Sequence, residues 1–173
     1  VDPTFTMSVD GAATKTATVG DTVSVDFNLA GGLENQKVLG VVIGYDSTAL
    51  EVVADTDDGT NKRLSTSGSI NPEIVPDATL AIGYVESTNV TLALASASAI
   101  PTSGRIATIK FKVLKEGESS ISYTGIKYAE SEGAGAVETQ LTSLSSVMIT
   151  GTTASQDSGS NENTGGNTGT DTD

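Results

Sequence analysis

Asp55, Asp57, Asp58 and Asn61 crowd into one short stretch, with the side-chain types and the density that a calcium loop uses. Their spacing argues against one. With Gly59 at the loop's sixth position, the first ligand falls on Ala54 and the twelfth on Ser65, and neither carries a carboxylate. The cluster reads as a solvated turn. Acid–base work by a pair of carboxylates is the next chemistry to weigh, because such pairs carry glycoside hydrolysis. Of the 22 acidic residues, 18 lie within 1–150, so close pairs arise by chance in any compact fold of that stretch. With no Trp there is also no obvious platform on which a sugar ring could stack. Lys110, Lys112 and Lys115 form a basic stripe that fits the wet face of a strand, where lysine also discourages edge-to-edge association.

The residue types that are missing exclude more. The 173 residues contain no Cys, so disulfides, thiolate metal sites and cysteine nucleophiles are ruled out. They contain no His, which removes the Ser-His-Asp triad and most zinc chemistry. A net charge of −13 opposes binding to nucleic acid, whose phosphates need a basic face. The longest strongly apolar stretch, 38–45, is interrupted by glycines and falls far short of the roughly 20 residues of a membrane-spanning helix. The composition is that of a non-enzymatic, soluble module.

The elements that must position any site are strands. Phe5, Met7 and Val9 alternate with polar residues, as do Val23, Val25, Phe27 and Leu29. Ala107, Ile109, Phe111 and Val113 repeat the pattern, followed by Ile121 with Tyr123 and Val147 with Ile149. A period of two buries one face and wets the other. Turn signals such as Gly20-Asp21, Gly31-Gly32, Pro76-Asp77 and Glu116-Gly117 separate the runs. The fold class is all-β, an antiparallel sandwich or jelly roll. The segment 90–100 is rich in Ala and Leu; it reads as a short helix with Asn89 as N-cap, or equally as a strand with Thr91, Ala93 and Ala95 on one side. Composition changes at Gly151. Beyond it Ala154 is the only apolar side chain, so 1–151 is read as the folded module and 152–173 as a disordered Thr/Ser/Gly/Asn linker of a modular parent.

Two strands are apolar on both faces. In the first, Leu39, Val41, Ile43 and Tyr45 are large, while Val38, Gly40, Val42 and Gly44 are small. In the second, Leu80, Ile82 and Tyr84 are large, while Ala81, Gly83 and Val85 are small. In a two-layer sandwich only one side of each sheet faces the core. The small side is therefore covered by the chain itself or by a partner, whose backbone could approach glycines closely.

Three segments, in order, resemble the cohesin family. Ala17-Thr18-Val19-Gly20-Asp21-Thr22-Val23-Ser24-Val25 is similar to its opening strand. Val41-Val42-Ile43-Gly44-Tyr45-Asp46-Ser47-Thr48-Ala49-Leu50-Glu51-Val52-Val53 is similar to its YD-containing segment. Gly104-Arg105-Ile106-Ala107-Thr108-Ile109-Lys110-Phe111-Lys112-Val113 is similar to its late "FkV" strand. The resemblance implies a nine-stranded jelly roll and a non-catalytic module of scaffoldins in cellulosomes, outside the cell or attached to a bacterial surface. It implies no cofactor on this chain; calcium belongs to the partner, a dockerin. The family's dockerin face is the exposed side of strands 8, 3, 6 and 5. Carried over by position, strand 3 supplies Val38, Gly40 and Val42, and strand 5 supplies Glu73 and Val75. Strand 6 supplies Ala81, Gly83, Val85 and Glu86, and strand 8 supplies Lys127 and Ala129. Val38 and Gly40 stand where the commonest, type I, pattern has polar residues, which points to more apolar, type II-like recognition. A type II cohesin also carries a helix between strands 6 and 7, which 90–99 would fill.

Two other functions fit the same fold class. A carbohydrate-binding module shares the sandwich and the linker but needs exposed aromatics, and the alternation leaves only Tyr128 off the core-facing phases. A plain structural or adhesin-like domain needs no site at all.

Overall fold

A computed structural model describes residues 3–131, 133 and 135–153. Two sheets pack face to face. The small sheet is ordered β1-β3-β10-β5, from β1 (Thr4–Val9), β3 (Thr22–Gly31), β10 (Gly104–Val113) and β5 (Leu50–Val53). The large sheet is ordered β2-β13-β11-β4-β9-β8-β7-β6. Its strands are β2 (Thr14–Thr18), β13 (Ser146–Thr152), β11 (Gly117–Ala129), β4 (Val38–Gly44), β9 (Asn89–Ser96), β8 (Ala78–Val85), β7 (Lys62–Leu64) and β6 (Thr56–Asp57). A short β12 (Val137–Glu138) pairs with the end of β11. Among the described residues nine strands run for five residues or more, in the all-β jelly-roll sandwich that the alternation indicates. One pairing, β13 with β2, is parallel rather than antiparallel.

The alternating residues meet between the sheets. Phe5, Val25, Phe27, Ile109 and Phe111 from the small sheet are fully buried against Leu39, Val41, Ile43, Leu92, Ile121 and Ile149 from the large one. Tyr123 ties the layers together. Its ring meets Phe5 and Phe27 edge-on, with centroids 6.1 and 5.9 Å away, and its hydroxyl donates to the Thr6 carbonyl at 2.5 Å. Such aromatic pairs add about 0.5–1.5 kcal/mol each beyond area burial. The YD segment turns the chain from β4 into β5. Asp46 Oδ1 accepts from the Thr48 hydroxyl and from its amide, and the Asp46 carbonyl accepts the amides of Ala49 and Leu50. These bonds from Thr48 hold the Asp46 carboxyl below its usual range.

The segment 90–100 is not a helix. Asn89–Ser96 forms β9, which lies between β4 and β8 and pairs with both. Val90, Leu92 and Leu94 point into the core and are at most 1% exposed. A seat inside the sheet, with two neighbours to satisfy the backbone, outweighs the helical preference of Ala and Leu.

The folded module also runs past its expected end. Thr152 pairs with Thr18, and its carbonyl accepts the Val19 amide at 2.6 Å. The remainder of the expected linker, 154–173, lies outside the described residues. Gly151 sits where a Cβ would fall 2.2 Å from the Lys115 carbonyl oxygen.

A chain cut after Gly151 will unfold at a lower denaturant concentration than one cut after Thr153, and Gly151→Ala will cost about 1–3 kcal/mol through overpacking; denaturant titration reads both. Burial raises the Tyr123 phenol above its ordinary value of 10.0. The stability this represents is fully present below pH about 10, where the unfolded phenol is also neutral, and is lost as pH rises further. Tyr123→Phe will flatten that alkaline decline in a pH series of unfolding midpoints.

Candidate partner-binding face

The unbroken ladder between β4 and β9 sets which side chains leave the core. It runs from Val38 opposite Ala95 to Gly44 opposite Asn89. Leu39, Val41 and Ile43 are fully buried, so Val38, Gly40 and Val42 face outward. Directly paired residues share a face. Outward rows therefore cross four strands: Lys127, Gly40, Ala93 and Ile82 in one, and Ala129, Val38, Ala95 and Leu80 in the next. A third row runs Gly125, Val42, Thr91 and Tyr84, and continues to Arg63 on β7. A bulge between Tyr123 and Gly125 keeps Tyr123 inward while the rest of β11 stays in phase. Val38, Gly40, Leu80, Ala93, Lys127 and Ala136 line a shallow groove of about 300 Å³ on this surface.

Of the residues assigned from sequence, five share this side of the sheet: Val38, Gly40, Val42, Lys127 and Ala129, the last only 6% exposed. The others do not. Ala81, Gly83 and Val85 point the opposite way, toward the core. A Cβ on Gly83 would lie 2.8 Å from Leu64 Cβ and 3.0 Å from Leu92 Cδ2, while Ala81 and Val85 pack against the core cluster. On β8 the large residues face out, because Leu64 and Leu92 already fill the space above Gly83. Tyr84 is thus outward rather than core-facing, and Tyr128, expected to be free, packs against the core. Glu86 lies in the β8–β9 turn, where its carbonyl accepts the Tyr45 hydroxyl. Glu73 and Val75 belong to no strand. Pro72–Ile74 is a single 3-10 turn beside β10 of the small sheet, with the Asn71 side chain capping Glu73 and donating to the Arg105 carbonyl. Glu73 is exposed there and Val75, 2% exposed, is core.

Sequence reasoning counted β8 as the strand next to β4, but β9 holds that place. Thr91, Ala93, Ala95, Leu80, Ile82 and Tyr84 were missed as face residues. The signal for three of them was present: Val90, Leu92 and Leu94 alternate with Thr91, Ala93 and Ala95 at strand period.

Chemically the face offers contact rather than reaction. Its centre is small and uncharged. Lys127 pairs with Glu138 at 3.7 Å, and the Arg63 guanidinium lies 4.8 Å from the Tyr84 ring centroid, so this tyrosine is no bare sugar platform. Among the described residues no group of three or more His, Cys, Asp or Glu could hold a metal ion. The Asp55 cluster is engaged in turns. Asp55 accepts the Ser65 and Ser69 amides, and Asp57 accepts that of Gly59. Asp58 accepts the Asn61 and Thr60 amides, which hold its carboxyl low.

The two strand phases make opposite demands on glycine. Gly83→Ala will destabilise the domain by about 1–3 kcal/mol. Gly40→Ala will be neutral or mildly stabilising, since its Cβ would meet only the Lys127 carbonyl oxygen at 4.0 Å. Equilibrium unfolding of both variants checks the assignment of faces.

The cohesin domain model matches residues 6–154. A search of curated proteins finds no match. Among solved structures the chain is similar to a type II cohesin domain from the cellulosome of Acetivibrio cellulolyticus, at 18% identity and a TM-score of 0.65, covering 86% of this chain and 95% of that one. It is similar to a non-cellulosomal cohesin from the hyperthermophilic archaeon Archaeoglobus fulgidus, at 12% identity and a TM-score of 0.60, covering 94% and 99%. A type I cohesin–dockerin complex from Clostridium thermocellum gives 18% identity and a TM-score of 0.55 over 86% and 99%. Identities this low speak to the fold alone, and the fold they share is this two-sheet sandwich. The family match covers nearly the whole described chain, from β1 through β13, and on that ground the chain belongs to the cohesin domain family.

Proposed function

We propose that this cohesin is a non-catalytic recognition module that binds a dockerin on the outer face of β11, β4, β9 and β8. The observation that carries the reading is the set of outward rows on those four strands. They make a floor of small residues at Gly40, Ala93, Val38 and Val42, with the buried Ala95 beside it and larger apolar groups at Leu80 and Ile82. Small side chains lose little rotamer freedom on contact, so such a floor is inexpensive to cover. The four strands are neighbours in one sheet, and similar structures include a type I cohesin–dockerin complex. The apolar centre favours recognition of the type II kind, by shape and apolar contact with a polar rim. Calcium enters through the dockerin, which folds around it. The setting is an extracellular or cell-surface assembly of the cellulosome kind, with the sequence beyond 153 serving as a linker.

The test pairs neighbouring residues with opposite phases. Val42→Asp and Ala93→Asp will leave the free domain folded and weaken binding to a calcium-loaded dockerin by about 2 kcal/mol or more, as expected for central interface residues. Val41→Asp will place an unpaired charge in the core and unfold the domain. Thermal unfolding and calorimetric titration against a dockerin panel, with and without calcium, read all three. Normal binding by both outward variants would remove this face from the reading.

A further inference from the structure

The floor of the face is neutral, so discrimination between partners has to come from its margins. The cations there are in different states. Lys127 already has Glu138 at 3.7 Å. Arg63, at the β7 end of the row through Tyr84, Thr91 and Val42, makes no ion pair among the described residues. Its guanidinium lies over the Tyr84 ring. Nη1 donates to the Lys62 carbonyl at 3.0 Å and Nη2 to Asn61 Oδ1 at 3.3 Å. A guanidinium has five N–H donors, so this one keeps donors to spare. Asp58 feels the Arg63 charge, but its Oδ1 is taken by the Thr60 and Asn61 amides. The ring and the two bonds restrict the side chain, and what remains is a planar cationic fork at the edge of an apolar surface. Carboxylates match that geometry with two parallel hydrogen bonds, and a lysine ammonium does not.

We propose that Arg63, held on Tyr84 at the β7–β8 margin of the face, determines partner specificity by receiving a carboxylate of the docked protein. The assignment rests on the dockerin reading above. It makes Arg63 a reader of one acidic side chain, while Val38, Gly40 and Ala93 supply sequence-tolerant contact.

The experiment is calorimetric titration of wild type, Arg63→Gln, Arg63→Lys and Val42→Asp with a panel of calcium-loaded dockerins, at low and high salt. Arg63→Gln should keep the wild-type unfolding midpoint and bind about tenfold more weakly at low salt, with the gap narrowing at high salt. Arg63→Lys should recover less than half of the loss, because it restores charge without the fork. An alanine scan of the dockerin's acidic residues should find one whose loss has no further effect in Arg63→Gln. Equal affinity of Arg63→Gln and wild type, with Val42→Asp still weakened, overturns the role of Arg63 and leaves the dockerin reading standing. If no dockerin binds the wild-type chain, the reading falls and this assignment falls with it.

Discussion

Seven consecutive pairs join β4 to β9, and that ladder has no bulge. Because side chains alternate across a strand, one such register decides the environment of fourteen residues at once. Leu39, Val41, Ile43, Val90, Leu92 and Leu94 go to the core together, and Val38, Gly40, Val42, Thr91 and Ala93 go out together, with Ala95 on their side but only 4% exposed. A slip of one residue would exchange a wall of large aliphatics for one of glycine and alanine, so the core itself enforces the register. The flanking strands depart from strict regularity, with breaks between Tyr123 and Gly125 on β11 and between Ala78 and Leu80 on β8. The irregularities lie there, and the ladder in the middle keeps its register.

How much of this was legible depended on whether a strand's own residues declare which side is wet. β3 and β10 do, since the large residues from Val23 to Leu29 and from Ile109 to Val113 are separated by Ser, Asp, Asn or Lys. β4 also read correctly, because its large and small sides differ so much in volume. β8 has the same contrast and read backwards. Its small side faces inward, since Leu64 from β7 and Leu92 from β9 occupy the room that a larger residue at 83 would need. Volume indicates burial only where the opposing layer leaves space, and that is a property of other segments. β9 failed differently. Ala and Leu favour a helix in isolation, and nothing local shows that two neighbouring strands will supply hydrogen bonds on both edges. Losing β9 as a strand moved β8 one place inward in the sheet, and that pulled 73–75 onto a surface it never reaches.

The segment 65–75 shows what that stretch does instead. Ser69 and Asn71 exchange backbone bonds with Thr108 and Ile106 of β10, and Ile70, Ile74 and Val75 plug the space between the sheets beyond the end of β5. The loop is held from the other side by Asp55, whose carboxylate gathers the Ser65 and Ser69 amides and the Ser69 hydroxyl. Gly68 is needed for this approach, since a Cβ there would fall 2.2 Å from Asp55 Oδ1. An acidic cluster that looked like metal chemistry is thus backbone chemistry. Carboxylates take the place of the strand partners that irregular chain lacks.

This use of acids bears on the face as well. The chain carries a net charge of −13, yet the rows at the centre of β4, β9 and β8 contain no ionisable side chain apart from the Tyr84 phenol. Asp46, Asp57 and Asp58 lie at strand ends and accept amides within their own turns, and Asp55 accepts those of Ser65 and Ser69 from the neighbouring loop. These four carboxylates are thereby kept at turns and strand ends, away from a surface that a partner would have to desolvate. A partner covering the floor buries little that needs a hydrogen bond in return. Affinity can then come from the floor and selectivity from the few charged groups at its margin, the division of labour found in protein interfaces with an apolar centre and a polar rim.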